Sequence, residues 1–186
     1  MPYAGQTLNN PYTGEQIIFE QTGQDTGGAL VAFKHFMSPR AEPTFPEHVQ
    51  LNHEERFEIL VGTARYRLVG IDRQAQAGET VIVSPGVVHI NCWNAGPDEL
   101  QMRHSFRPAF GTDIFFETLF SLAMNGKTNS KGEVNLLQLA VIGSSIESQT
   151  FNAGIPIPLQ RLALPVLAAL GKRLGYRARY SNERQI

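Results

Sequence analysis

The sequence has few of the features that mark secreted, membrane-spanning or nucleic-acid-binding proteins. It contains a single cysteine, Cys92, which excludes an intrachain disulfide and a cysteine zinc cluster. Charged residues make up 18%, below the roughly 25% of typical soluble chains, and the net charge of -1 argues against a generally basic nucleic-acid binder. No apolar run reaches the ~18 residues of a membrane span, and residues 1–13 lack a signal-peptide pattern. We therefore predict a cytoplasmic protein with no membrane span and no nucleic-acid partner.

Short β-type runs occupy about residues 28–108 of the 186 in the chain, and they are separated by glycine, proline and aspartate turns. Residues 70–74 have the composition of a hairpin turn. Many short strands without helices between them favour a small antiparallel barrel or jelly roll over a parallel sheet. The predicted strands are residues 29–37, 47–51, 56–60, 63–69, 80–83, 89–93 and 99–107.

Helical periodicity replaces this pattern in the last third of the chain. Residues 113–125 repeat apolar side chains at helical spacing, behind Thr112 as the candidate N-cap. A second helix is predicted over about residues 135–147. A third apolar run, residues 159–174, contains Pro165, so it predicts either a kinked helix or one that begins near the proline.

The chain therefore divides into a predicted β-barrel domain, residues 1–110, and a helical extension, residues 111–186, packed on the barrel or on a dimer partner. The charge is uneven, because residues 159–186 carry six basic side chains and one acidic one. An amphipathic basic helix could meet a membrane surface or an acidic partner. We favour the structural alternative, in which the apolar stripe is covered and the cations face water.

Two segments carry residues that suit metal chemistry. On a strand, His48 and Gln50 share one face because side chains at i and i+2 point the same way. Glu55 lies seven residues after His48, and strict alternation would place a residue at this odd offset on the opposite face. The chain must therefore turn or bulge at about residues 51–54 to bring Glu55 to the face of His48. His89 enters the strand after a Ser-Pro-Gly turn. Two histidines and a carboxylate form a facial set that suits Fe(II), Mn(II) or Zn(II) and leaves positions open for substrate or oxygen.

The two segments resemble the paired signatures of the cupin superfamily, G-x5-H-x-H-x3,4-E-x6-G and G-x5-P-x-G-x2-H-x3-N. Glu55 and Gly62 keep the spacing of the first signature, and Gly78, Gly86 and His89 keep the register of the second. The departures are Gln50 at the second histidine, Ser84 at the proline, and Asn94 one residue late. The chain as a whole is similar to bacterial single-domain cupins with a helical C-terminal extension.

The resemblance implies an all-β, cupin-type antiparallel jelly-roll barrel followed by about three helices, and it implies a homodimer. It also implies a divalent transition metal, Fe, Mn, Zn or Ni, inside the barrel. Carried over residue by residue, His48, Glu55 and His89 match metal ligands, and Gln50 stands in the fourth ligand position.

Because a neutral amide binds first-row metals more weakly than imidazole, Gln50 leaves alternatives open. His53 or His104 could substitute for the missing histidine, or no metal binds and Gln50 makes hydrogen bonds to a ligand. His104 shares a strand face with apolar residues, which predicts an interior position. There it is either a pocket residue or a buried structural histidine, and the same two alternatives apply to His35. His53 is expected to be solvated, and Cys92 to be structural because no basic partner adjoins it.

Two functions of different classes follow. One is an enzyme, a metal-dependent dioxygenase or isomerase acting on a small oxygen-rich organic substrate. The other is a metal-free module that binds a metabolite without turnover, with Gln50 and His104 as orienting polar groups. The predicted pocket of this binding module is lined by Phe57, Ile59, Trp93 and Phe106 together with His104.

Overall fold

The computed structural model of the protein describes residues 1–180. Eleven strands form two antiparallel sheets that face each other. The six-stranded sheet has the order β1-β2-β3-β10-β5-β8, and the five-stranded sheet has the order β11-β4-β9-β6-β7. The strands are β1 (Thr7–Asn9), β2 (Gln16–Gln21), β3 (Val31–Met37), β4 (His48–Gln50), β5 (Glu54–Val61), β6 (Thr63–Leu68), β7 (Ile71–Gln76), β8 (Thr80–Val83), β9 (Val88–Trp93), β10 (Leu100–Arg107) and β11 (Thr150–Asn152).

Alternating side chains from both sheets fill the space between them. Along β5, every second residue is buried, and Phe57 and Ile59 are 1% and 2% exposed. This period of two is the pattern that predicts a strand with one face on a core. The strands at 63–69, 80–83, 89–93 and 99–107 were predicted from it and lie within a residue of their observed positions.

Several predictions for the β region need correction. Hydrogen bonding groups the described strands into two sheets and does not close them into one barrel. The predicted turn at 70–74 is displaced, because Val69 and Gly70, both with positive φ, form a two-residue turn and Ile71–Gln76 is a strand. Strands β1, β2 and β11 were not predicted.

Gly62, at the end of the first motif, shows why that position requires glycine. Its φ is +84°, and a Cβ placed there would lie 2.7 Å from the carbonyl oxygen of Glu99. A side chain would therefore combine left-handed backbone strain with a backbone clash. The glycine lets the turn between β5 and β6 pass close to the start of β10.

Three helices make the predicted fold class, all-β, too narrow. They are α1 (Thr112–Met124), α2 (Leu136–Gly143) and α3 (Ile157–Arg173). The N-cap of α1 is Gly111 instead of Thr112, whose hydroxyl donates to the carbonyl of Ala109. Asn135 caps α2 by accepting from the Gln138 amide. Helix α3 runs through Pro165 and begins before it, so the alternative of a start at the proline is wrong.

The C-terminal segment is more than a set of helices, because β11 pairs with β4 in the five-stranded sheet. Helix α3 packs on α2 at Gly171 and leaves Leu162 and Val166, 73% and 66% exposed, on its opposite face. The expectation that the apolar stripe of the extension is covered by the barrel or by a dimer partner stays a prediction. None of the helices in residues 1–180 combines the length and apolarity needed to cross a bilayer. The homodimer and the division at residue 110 stay predictions.

Gly171→Ala should destabilise the contact between α2 and α3. An added Cβ would lie 2.7 Å from Val141 Cγ2 and 2.9 Å from the Leu137 carbonyl oxygen. Because overpacking of this kind typically costs about 1–3 kcal/mol, we expect a lower thermal midpoint for this variant. Gly143→Ala on α2 is the matched control, since nothing lies within 4 Å of its added Cβ. Equal thermal midpoints for the two variants would contradict the packing described for Gly171.

Candidate metal centre

The centre begins with a cross-strand pair. His48 on β4 and His89 on β9 are directly opposite each other in the antiparallel register, and their ring centroids are 4.2 Å apart. Both side chains point between the sheets and are buried, with 8% and 0% exposure. The pairing of two short strands therefore fixes the spacing of the two imidazoles.

A backbone hydrogen bond fixes the ring orientation of each histidine. Nδ1 of His48 lies 2.9 Å from the carbonyl oxygen of Pro46, and Nδ1 of His89 lies 2.9 Å from that of Val87. Since a carbonyl only accepts, each Nδ1 must carry the proton and donate it. The remaining Nε2 atoms are the ones available to a metal, and metal-binding histidines are oriented in this way.

Glu55 reaches the pair from β5 in the opposite sheet, so the cluster joins the two sheets. It is fully buried, and its two oxygens have four side-chain partners. Oε2 accepts from Gln50 Nε2 at 2.8 Å and faces His89 Nε2 at 2.9 Å. Oε1 accepts from His104 Nε2 at 2.6 Å and from Asn91 Nδ2 at 3.0 Å. The carboxylate is therefore held rigidly.

The electrostatics follow from burial and from the carboxylate. Burial alone would raise the pKa of Glu55, but hydrogen bonds from His104 and His89 outweigh it and hold that pKa well below its usual range. Burial lowers the pKa of His48 and of His104. At His89 burial is opposed by the hydrogen bond and charge of Glu55, and the pKa is raised. The centre thus keeps one anion, with neutral rings at His48 and His104.

These residues fit a divalent metal. Donor atoms of His48, Glu55 and His89 all lie within 4.8 Å of one another. Two ligand atoms about 2.1 Å from one ion and at right angles to each other are about 3.0 Å apart, and the separation of His89 Nε2 and Glu55 Oε2 is 2.9 Å. Nδ1 of His89 already carries a proton, which it donates to the carbonyl of Val87. Nε2 of His89 and the Glu55 carboxylate are therefore held together in one of two ways: the ring carries a second proton on Nε2, or both groups bind one cation.

The residues predicted to replace the missing histidine have other roles. His104 binds the distal oxygen of Glu55 and stacks on Phe57 with centroids 4.3 Å apart. His53 is 1% exposed and packs on Phe106, so the prediction that it is solvated is wrong. Gln50 donates to Glu55, while its Oε1 is buried and accepts no hydrogen bond within the described chain. Its place as a fourth ligand stays a prediction.

A cavity of about 580 Å³ opens from this cluster toward the helical extension. His48, Gln50 and Glu55 line its base, and residues of all three helices and β11 line its walls. Of the predicted pocket residues, Phe106 lines this cavity. Phe57 and His104 line a separate cavity of about 20 Å³.

The other predicted pocket residues lie outside both cavities. Ile59 is buried in the cluster between the sheets, and Trp93 packs against that cluster, because strand alternation directs both toward the core. Cys92 is 3% exposed in the same cluster, and burial raises the pKa of its thiol, which opposes a nucleophilic role.

His35 belongs to a second buried pair beyond His104. Its Nε2 lies 3.3 Å from Glu15 Oε1, and its ring stacks on that of His104 with centroids 6.0 Å apart. Thr13 and Thr44 each donate to Glu15 at 2.8 Å. Burial would raise the pKa of Glu15, but His35 and the two hydroxyls lower it below its model-compound value.

Glu15→Gln should therefore weaken the acid dependence of stability. A carboxyl whose pKa is lower in the folded state adds stability above its unfolded pKa and loses it as pH falls through the folded pKa. We expect the free energy of unfolding of the variant to fall less steeply than that of the wild type between about pH 5 and pH 3. Thr44→Val, which removes one donor, should give an intermediate slope in urea titrations. An unchanged slope for Glu15→Gln would show that this carboxyl titrates alike in both states.

Comparisons with known structures cover about half of the chain. KdgF from Halomonas sp. is 17% identical with a TM-score of 0.46, over 55% of this chain and 88% of that one. A predicted oxalate decarboxylase from Thermotoga maritima is 15% identical with a TM-score of 0.47, over 56% and 92%. The cupin domain of Schizosaccharomyces pombe Cnp3 is 13% identical with a TM-score of 0.41, over 50% and 64%. No protein-family model and no curated protein matches the sequence.

The resemblance to cupins rests on features of the sequence and of the structure. The paired motifs supply His48, Glu55 and His89 at the expected positions, and the two facing sheets bring these three side chains into one buried cluster. In both respects the chain resembles the cupin superfamily.

Proposed function

We propose that the protein is a metal-dependent cupin in which His48, Glu55 and His89 hold one divalent ion, beside Gln50, and a small organic substrate binds from the cavity. The observation that carries the proposal is the pair of Nδ1 hydrogen bonds, which leaves Nε2 of each histidine as the potential ligand atom beside a buried carboxylate. A bound Fe, Mn, Zn or Ni ion would supply Lewis acidity or oxygen activation, and dioxygenation and isomerisation are the reactions that we propose.

The protein's own residues prepare the centre. Asn91 and His104 bind the Oε1 atom of Glu55, which directs Oε2 toward the histidines. Phe106 and Phe116 stand beside the cavity and limit the water that reaches the carboxylate. Burial in an apolar shell strengthens the interaction of Glu55 with any cation.

A second candidate is a metal-free protein that binds a metabolite without turnover. One observation favours it: the carboxylate of Glu55 already has four side-chain partners, so the cluster is satisfied without an ion when His89 is protonated. In that case Gln50 Oε1 would accept a hydrogen bond from the ligand.

Metal reconstitution separates the two candidates. Chelator-treated protein would be incubated with Fe(II), Mn(II), Zn(II) or Ni(II), desalted, and analysed for bound metal. The enzyme proposal expects close to one equivalent of at least one ion. A folded protein that retains none of the four would contradict it and favour the metal-free binder.

Gln50→His should strengthen metal binding, because it replaces an amide by the imidazole of the family motif. We expect the affinity for Zn(II) to rise on the order of tenfold. The measurement is competition with a chromophoric chelator. Gln101→His, on β10 and outside the cluster, is the control and should leave the affinity unchanged. Weaker binding by Gln50→His would show that the amide is itself needed, as a ligand or as a donor to Glu55.

A further inference from the structure

We infer that the ligand of this centre is amphipathic, with one oxygen-bearing head at the metal and an apolar body in the part of the cavity that the helical extension lines. This inference rests on the proposed function and narrows it, because the sequence alone suggested a small oxygen-rich substrate. The helical extension then has a defined role, since it builds most of the wall that the apolar body contacts.

The carboxylate and the unpartnered amide oxygen of the cavity lie at its base. His48 and Gln50 on β4 and Glu55 on β5 lie there together. Gln50 is 5% exposed, and its Oε1 has no hydrogen-bond partner in the described chain. A buried acceptor without a donor is costly, so a ligand group that donates to it or shares the metal would be stabilised at this end.

Apolar side chains dominate the walls, and the polar residues that also line them are hydrogen-bonded within the chain: Thr112, Ser148, Thr150, Asn152 and Gln160. Helices α1, α2 and α3 contribute Phe115, Leu139, Ala163, Leu164 and Leu167. Among the described residues that line the cavity, Glu55 is the only acid, and none is lysine, arginine or aspartate. A phosphate or a second carboxylate in the ligand body would therefore lose its hydration without gaining a counter-charge.

The rim of the cavity is apolar and exposed. Leu136 is 60% exposed, Leu159 56%, Ile155 45% and Leu139 38%. All four belong to α2, α3 or the segment before α3, and all four line the cavity. Clustered apolar exposure of this kind marks binding surfaces, and a ligand body that covers it gains hydrophobic stabilisation.

The volume agrees with a ligand that extends beyond the metal. Pockets for drug-sized molecules are about 300–1,000 Å³, and this cavity is about 580 Å³. A molecule of a few oxygen-rich atoms would occupy only the base and leave apolar walls in contact with water. An apolar body fills that space, so both ends of the cavity favour one ligand class.

Straight-chain hydroxamic acids test this assignment, because they share one chelating head and differ only in tail length. Acetohydroxamate, butanohydroxamate, hexanohydroxamate and octanohydroxamate would be titrated calorimetrically into metal-loaded protein. We expect the dissociation constant to fall about fourfold for each added methylene that is buried. Ala163→Trp, which fills the cavity, should abolish the dependence on tail length, and Ala169→Trp on the exposed face of α3 should preserve it.

The outcomes separate this inference from the proposed function. Affinity that does not change with tail length in metal-loaded wild-type protein overturns the inference and leaves the metal centre intact. If the protein holds no metal, the proposed function fails, and butan-1-ol, hexan-1-ol and octan-1-ol test the apolar cavity alone. Tail-dependent alcohol binding that Ala163→Trp removes would then uphold the apolar site, whereas binding with no tail dependence would overturn it. The wild-type series decides the question even if a tryptophan variant does not fold.

Discussion

His89→Ala should reduce the metal retained after desalting from about one equivalent per chain to less than about a tenth. The substitution removes one of the two Nε2 donors, and the carboxylate that remains is already bound by Gln50, Asn91 and His104. Elemental analysis of reconstituted protein measures the change, and His48→Ala should give the same result.

His35→Ala is the matched control for this prediction. His35 is also a buried histidine, but it faces Glu15 and lies outside the metal cluster. Its variant should retain wild-type metal. Full metal content in folded His89→Ala and His48→Ala proteins would show that the ion binds elsewhere.

Glu55→Ala should destabilise the metal-free protein by about 3–5 kcal/mol, the cost typical of breaking a buried charged pair. Four donors lose their acceptor at once, and His89 loses the partner that raises its pKa. Urea unfolding of chelator-treated protein measures this effect without a contribution from metal.

Glu58→Ala controls for loss of a glutamate from the same strand. The Glu58 side chain is 33% exposed and lies 3.7 Å from Arg103, and surface pairs of this kind contribute about 0–1 kcal/mol. A cost for Glu55→Ala no larger than that for Glu58→Ala would contradict the central position of Glu55 between the two sheets.

Most strands and the metal cluster can be predicted from the sequence because the patterns that mark them are local. Alternation along β5, β8 and most of β10 sets one face toward the core, and the motif spacing marks His48, Glu55 and His89. The turn that returns Glu55 to the interior was inferred from its odd offset from His48. The structure adds that Glu55 comes from the opposite sheet.

Other elements have weak local signals. In β7 only Ala75 is buried, because this strand lies at the edge of its sheet, so its polar residues resemble a turn. Strand β11 has three residues and exists through its pairing with β4. Strand β2 does carry a local signal, since Ile17 and Phe19 alternate with less buried residues.

The cavity could not be predicted because its wall is assembled from distant segments. Ile155 and Leu164 line it together with residues of α2 and β11. The burial of His53 has the same origin, since Phe106 and Phe110 cover it from the end of β10 and the loop that follows. Polar sequence neighbours such as Glu54 favour a solvated turn. They do not indicate that the rings of Phe106 and Phe110 cover His53.

Anomalous diffraction at the absorption edge of the reconstituted metal tests the central claim most directly. A single anomalous peak is expected about 2.0–2.2 Å from Nε2 of His48, Nε2 of His89 and a carboxylate oxygen of Glu55. Crystals that contain stoichiometric metal but show the peak at another position, with His89 still bound to Glu55, would contradict it.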